Sequence, residues 1–110
     1  MKCTFIGIGN LGKELCGRIS LAGFPTFAYD LNPDASKNAT EQFKNVVQSD
    51  LTDAVKQSEV ILSCLPNSFL VREVVNKLTS EKGSLQKIKF WIDTTSSILE
   101  NSKKLLKFSN

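Results

Sequence analysis

The sequence contains no histidine, and its three cysteines, Cys3, Cys16 and Cys64, never form a C-x-x-C pair. Zinc binding and histidine-based acid–base or triad chemistry therefore lose their usual ligands and bases. An odd number of cysteines inside apolar runs reads as small buried hydrophobes in a reducing compartment. No apolar run approaches the ~20 residues of a membrane span. The apolar stretch after Lys2 breaks at Gly7, Gly9 and Asn10, too early for the apolar core of a secretory signal, so a cytoplasmic protein is the expectation. A net charge of +3, with scattered lysines, argues for neither nucleic acid nor an anionic membrane as partner. The Lys103-Lys104 pair reads as a solvated helix face.

What remains is an ordinary packed domain. The 110 residues suffice for one domain, and 41% apolar and 23% charged residues suit a globular core with a wet surface. CTFIGI, from Cys3, is almost wholly apolar and suits a strand buried on both faces, as in a parallel sheet. Leu11, Leu15, Ile19 and Ala22 then recur at helical spacing, with Cys16 beside them, until Gly23 and Pro25 stop the helix. FPTFAYD, ending at Asp30, reads as a second strand, and Asn32-Pro33-Asp34 as a turn. A short polar helix is expected from Ala35 to Lys44, a weak strand from Asn45 to Gln48, and a short helix beginning at Ser49 with Leu51, Ala54 and Val55. VILSCL, from Val60, is a strong buried strand that Pro66 ends. Leu70, Val71, Val74, Val75 and Leu78 mark the next helix, Lys82-Gly83-Ser84 a loop, and IKFWI, from Ile88, a fifth strand. Ser97-x-x-Glu100 reads as a capping box opening a last helix that carries Ile98, Leu99, Leu105, Leu106 and Phe108. Strict alternation of strand and helix predicts an α/β fold of Rossmann type: a doubly wound, mainly parallel sheet of about five strands with helices on both faces.

The first strand runs directly into FIGIGNLGKEL, where Gly7, Gly9 and Gly12 are spaced G-x-G-x-x-G. Such a triplet can be a turn and nothing more, but it lies between a buried strand and an amphipathic helix, the context that dinucleotide binding requires. Gly7 would permit the tight turn, Gly9 the approach of a diphosphate, and Gly12 close helix–strand packing. The exposed amides around Asn10 and Leu11 would face the phosphates at the positive end of the helix dipole, and Ile8, between Gly7 and Gly9, counts among the cofactor-binding residues. Asp30 stands 18 residues after Gly12, at the end of the second strand. A carboxylate there can accept from the adenosine ribose hydroxyls and would repel a 2′-phosphate; the alternative is a solvated turn residue. No arginine occurs between Arg18 and Arg72, so NAD is favoured over NADP. In the strand order 3-2-1-4-5 the ligand crevice lies off the carboxyl ends of strands one and four, which here are Gly7-Ile8-Gly9 and Leu65-Pro66-Asn67.

Three stretches together resemble the β-hydroxyacid dehydrogenases, which include 3-hydroxyisobutyrate dehydrogenase, tartronate semialdehyde reductase and 6-phosphogluconate dehydrogenase. GIGNLGKELCGRISLAGF is similar to that family's G-x-G-x-M-G and its "AG" helix end, with Leu11 in place of the usual Met. SCLPNSFLVREVV resembles its L-P-x-x-x-x-V-x-x-V. WIDTTSSILENSKKL resembles its I-D-x-S-T. The resemblance implies that Leu65 and Pro66 lie along the nicotinamide side of NAD and Leu70 near the adenosine-side wall. It implies that Thr95 and Ser96, in swapped order relative to the family, contact the substrate carboxylate and the cofactor; with Ser97 they can equally cap a helix. It further implies a helical second domain carrying a lysine acid–base, which these 110 residues do not contain. The expectation is one dinucleotide-binding domain over residues 1–110, in which Lys13, Lys37, Lys103, Lys104 and Lys107 are not catalytic and a small hydroxy-acid substrate is met only with that second domain. The alternative is a non-catalytic NAD-binding module, for which an open edge beside the fifth strand would need a partner or a second copy. Pyrroline-5-carboxylate reductases resemble the G-x-G-N start but fit the LPNS and DTTS segments less well.

Overall fold

A computed structural model describes residues 1–94 together with the backbone of residues 104–107. Its elements are β1 (Cys3–Ile6), α1 (Asn10–Leu21), β2 (Thr26–Tyr29), α2 (Pro33–Gln42), β3 (Val46–Gln48), α3 (Leu51–Lys56), β4 (Val60–Ser63), α4 (Ser68–Ser80), β5 (Phe90–Asp93) and β6 (Lys104–Lys107). The strands lie in the order β3-β2-β1-β4-β5-β6. The first five pair in parallel; Cys3 stands opposite Thr26 on one side and Val60 on the other, and Val60 opposite Phe90. This is the doubly wound α/β sheet that the alternation of elements predicts.

Successive residues of β1 serve opposite faces, as the pleat requires. Phe5 joins Ile8, Cys16, Ala28, Ala39 and Val46 under α1 and α2. Ile6 joins Leu51, Val55, Ile61, Leu65, Val71, Leu78, Ile88 and Trp91 on the α3 and α4 side. A strand covered on both faces has little room for polar alternation, which explains why CTFI is apolar but for Thr4. Polar atoms in the core are paired: the Thr4 and Ser58 hydroxyls bond each other at 2.7 Å, and the Trp91 indole N–H donates to Ser63 Oγ at 2.8 Å. Ser63 in turn donates to Asp93 Oδ1 at 3.1 Å, tying the carboxyl ends of β4 and β5 together.

The cysteines behave as the sequence suggests, with one difference. Cys3 and Cys16 are buried, whereas Cys64 is only half-buried at the mouth of the sheet. Burial pushes the Cys16 thiol up to about 11, because the thiolate would lose its solvation. It raises the Cys3 thiol as well.

Two expectations fail: Pro33 and Asp34, expected in a turn, open α2, with Asn32 as its cap, and the last expected helix is not found at residues 104–107. Lys104–Lys107 is not helical but forms β6, antiparallel to β5, with Lys104 opposite Asp93 and Lys107 opposite Phe90. Leu105 and Leu106 fit a strand as readily as a helix turn; Ile98, Leu99 and Phe108 lie outside the described residues. The edge of β5 away from β4 decides between them by offering a strand to pair with, since pairing context overrides local propensity. The edge beside β5 is therefore occupied by the chain itself, and the argument that an open edge demands a partner falls. The capping box at Ser97 and Glu100, and the pair Thr95 and Ser96, lie outside the described residues. Among the described residues no helix is long and apolar enough to cross a membrane, and no cluster of His, Cys, Asp or Glu could hold a metal ion.

Candidate dinucleotide-binding site

The chain leaves β1 through Gly7, whose φ of +96° is open to glycine and strained for other residues. A Cβ at Gly7 would stand 2.2 Å from the Cys64 carbonyl oxygen, so the carboxyl ends of β1 and β4 touch here through backbone alone. A Cβ at Gly12 would stand 2.0 Å from the Gly7 carbonyl oxygen, so the first turn of α1 presses onto the loop that precedes it. Gly9 is different in kind. Its φ of −79° suits any residue, and a Cβ there would meet no protein atom within 4 Å. The fold needs Gly7 and Gly12; the fold does not need Gly9. Gly9 is exposed, and the space in front of it is open.

Gly9 is also the N-cap of α1, which has no side-chain cap and no acidic residue in its first turn. Asn10 and Leu11 are exposed on the opening turn, Leu11 at 52%. Ile8 is buried, and its amide donates to Asp30 Oδ2 at 2.6 Å. The other oxygen, Asp30 Oδ1, accepts the Asn32 amide at 2.8 Å. The acid at the end of β2 thus reaches the glycine loop, as a ribose-binding residue must, and holds part of that loop as well.

Two clefts meet at Asp30. The first, of about 470 Å³, opens off the ends of β1 and β2 against α4; Ile6, Tyr29, Leu65, Leu70 and Val74 form apolar walls, with Leu31 and Phe69 also lining it. Leu31 and Phe69 are 68% and 63% exposed. Glu73 and Lys77 of α4 supply its polar rim. The second cleft, of about 520 Å³ beside β3, is lined by Asp30, Asp50, Ser36 and Gln48 among others, and its described lining includes no lysine or arginine. Leu65 and Leu70 share the first cleft with Asp30. Pro66 is exposed just beyond. Lys13 lies on a separate groove along α1 and α2, away from Asp30. Sequence reasoning did not single out Leu31, Phe69 or Lys77, nor the Ile8–Asp30 bond. The unusual signal was an aromatic residue two positions after the Asn67 cap, where α4 has barely begun.

These features fit a dinucleotide: an open N-terminus for a diphosphate, a carboxylate for a ribose, and a mostly apolar cleft of a size suited to a flat base. A parallel sheet with a glycine loop at its β1/β4 switch point defines a dinucleotide-binding domain of the doubly wound class. The family model for the NAD binding domain of 6-phosphogluconate dehydrogenase matches residues 2–109. The chain belongs to that family and is an NAD-binding domain. It is 31% identical over 85 residues, 77% of its length, to the mitochondrial 3-hydroxyisobutyrate dehydrogenase of Bos taurus, and that match spans 24% of the relative. The chain thus corresponds to about a quarter of such a relative. The 3-hydroxyisobutyrate dehydrogenase of Mycobacterium tuberculosis, solved with L-serine, shares the fold with a TM-score of 0.69 at 23% identity, over 86% of this chain and 31% of that one. Imine reductase from Myxococcus stipitatus shares it in a V8 variant with NAD+ (TM-score 0.72, 19% identity, 87% of this chain, 32% of that one). Its NADP+ complex has a TM-score of 0.74 at 18% identity, over 88% and 32% of the two chains.

Proposed function

We propose that the chain is the cofactor-binding part of an oxidoreductase acting on a small 3-hydroxy acid, as the curated relatives' names suggest. The single observation that carries this reading is Gly9: the chain keeps a glycine where its own packing asks for none, in front of an uncapped helix. When bound, NAD supplies the hydride chemistry. The amides of Gly9, Asn10, Leu11 and Gly12 hold its diphosphate, and Gly7 and Ile8 shape the loop beneath it. Asp30 accepts from the adenosine ribose, and Leu65, Leu70, Leu31 and Phe69 wall the adenine. In this reading Leu65 serves the adenosine half, and Pro66 lies on the way to the nicotinamide. Thr95 and Ser96 remain the candidates for contact with the substrate carboxylate and the nicotinamide end. Residues 1–110 act as one dinucleotide-binding unit, and the group that moves the substrate proton belongs to a further domain.

NAD is preferred to NADP in this reading, because Asp30 and Asp50 flank the position a 2′-phosphate would need. A phosphate of roughly −1.5 to −2 charge about 5 Å from one carboxylate is repelled by roughly 1.5 kcal/mol even at the dielectric of water, about tenfold in affinity. The test is a titration of the chain with NADH and NADPH, following energy transfer from Trp91, the only tryptophan. Saturable binding of NADH, with NADPH at least about tenfold weaker, is expected. No saturable signal with NADH at millimolar concentration would refute dinucleotide binding, and equal affinities would refute the role of the acids.

A further inference from the structure

We propose that Asp30 is a brace for the diphosphate loop as well as a ribose acceptor, so that both grips on the cofactor are coupled through one carboxylate. The inference rests on the NAD-binding reading above and adds a positioning role to it. The ladder between β1 and β2 ends where the Gly7 amide donates to the Tyr29 carbonyl at 2.9 Å. One residue on, a side chain takes over: the Ile8 amide donates to Asp30 Oδ2 at 2.6 Å. Asp30 Oδ1 accepts the Asn32 amide at 2.8 Å, and Asn32 Oδ1 accepts the Asp34 amide at 3.0 Å to begin α2. The loop after β1 and the loop after β2 are therefore tied through a single residue.

The tie acts where the loop has least support of its own. Ile8 is fixed from below by its buried side chain and from above by Asp30, while Gly9, the next residue, starts α1 without a side-chain cap. The position of the Ile8 amide sets where the following amides begin. A carboxylate can accept about four hydrogen bonds, and two are used here, so capacity remains for ribose hydroxyls. The bond to a charged acceptor is of the stronger kind.

A ribose acceptor and a loop brace respond differently when the ribose hydroxyls are removed. The experiment measures the affinity of wild type and Asp30→Ala for NADH and for its analogue with a 2′,3′-dideoxy adenosine ribose. Hydrogen exchange of the Ile8 amide is followed without ligand, with the Ile61 amide in β4 as reference. The brace predicts that Asp30→Ala weakens the analogue at least about tenfold. It also predicts that Ile8 exchange quickens by a similar factor while Ile61 exchange changes little. Unchanged affinity for the analogue, or unchanged Ile8 exchange, overturns the proposal. Should wild type bind neither dinucleotide, the NAD-binding reading fails, and Ile8 exchange alone decides the brace. Asp30→Asn, which keeps one acceptor oxygen, covers the case that the alanine variant does not fold; it should lie between the two on every readout, and wild-type values from it would overturn the brace equally.

Discussion

Alanine at Gly7 and alanine at Gly9 should have opposite consequences, although both residues belong to one six-residue motif. At Gly7 the backbone sits at φ +96°, and a methyl group would stand 2.2 Å from the Cys64 carbonyl oxygen and 3.1 Å from Leu65 Cδ2. Holding a non-glycine residue in such a region costs about 1–3 kcal/mol. Pushing apart two central strands adds a further ~1–3 kcal/mol of overpacking. Domains of this size hold about 5–15 kcal/mol in total, and each kcal/mol moves the midpoint by ~4–8 °C. Gly7→Ala should therefore melt at least ~10 °C below wild type, or fail to accumulate folded. At Gly9 the φ of −79° is ordinary and no protein atom lies within 4 Å of the new methyl. Alanine there gains about 0.4–1 kcal/mol by restricting the unfolded chain and loses a comparable amount as a poorer N-cap. The melting midpoint should stay within ~5 °C of wild type.

Binding reverses the order of severity among folded variants. If the diphosphate binds as proposed, the Gly9 methyl would stand where it meets the helix amides. Loss of one hydrogen bond to a charged group, about 1.5–3 kcal/mol, corresponds to a roughly ten- to hundredfold weaker Kd for NADH. Thermal melting by circular dichroism and calorimetric titration with NADH read the two effects separately. A Gly9→Ala chain that binds NADH within about twofold of wild type would refute the reasoning, since the space at Gly9 would then hold no ligand.

Phe69→Ala should leave the melting midpoint nearly unchanged, because the ring is 63% exposed, while weakening NADH about two- to tenfold through loss of a stacking surface; an unchanged Kd would remove Phe69 from the adenine wall. The Cys16 thiol, pushed up to about 11 by burial, is favoured in its protonated form by the fold. Its contribution to stability is thus full below the unfolded pKa near 9 and is lost as pH rises from there through about 11. Denaturant midpoints across that range should fall in wild type and fall less in Cys16→Ala; parallel declines would refute this assignment.

The fold was legible because buried strands and amphipathic helices carry different periods, and CTFI and VILS could be little else, while the fifth strand, read as Ile88 to Ile92, runs from Phe90 to Asp93. The site was legible only in part. Gly7, Gly12 and Asp30 sit at places dictated by the order of elements, so spacing alone locates them. That Asp30 would spend one oxygen on Ile8 was not legible, because the bond crosses from one strand end to another and depends on the rotamer at Asp30. Leu31 and Phe69 escaped notice for a related reason: exposure of an apolar residue is a property of the assembled surface. Lys104–Lys107 was misread as helix because a four-residue stretch with two adjacent leucines has no period to measure. Its state is set by hydrogen-bonding groups on β5, far away in sequence for a local pattern.

The helix starts make the functional asymmetry plain. α2, α3 and α4 each begin on a side chain that accepts an amide of its own first turn: Asn32, Asp50 and Asn67. Such a cap contributes about 0.5–2 kcal/mol. α1 alone among the described helices begins on glycine, with no cap and no acid in its first turn. The Cβ of a serine or aspartate at position 9 would meet no protein atom within 4 Å. Asp30, the acid that does reach this loop, binds the Ile8 amide, one residue before the cap, and so braces the loop without filling the helix mouth. Packing gives no reason for the omission, and local stability argues against it. A ligand anion that takes the place of the missing cap resolves both, because it draws on the same amides and the same dipole that a side chain would otherwise neutralise.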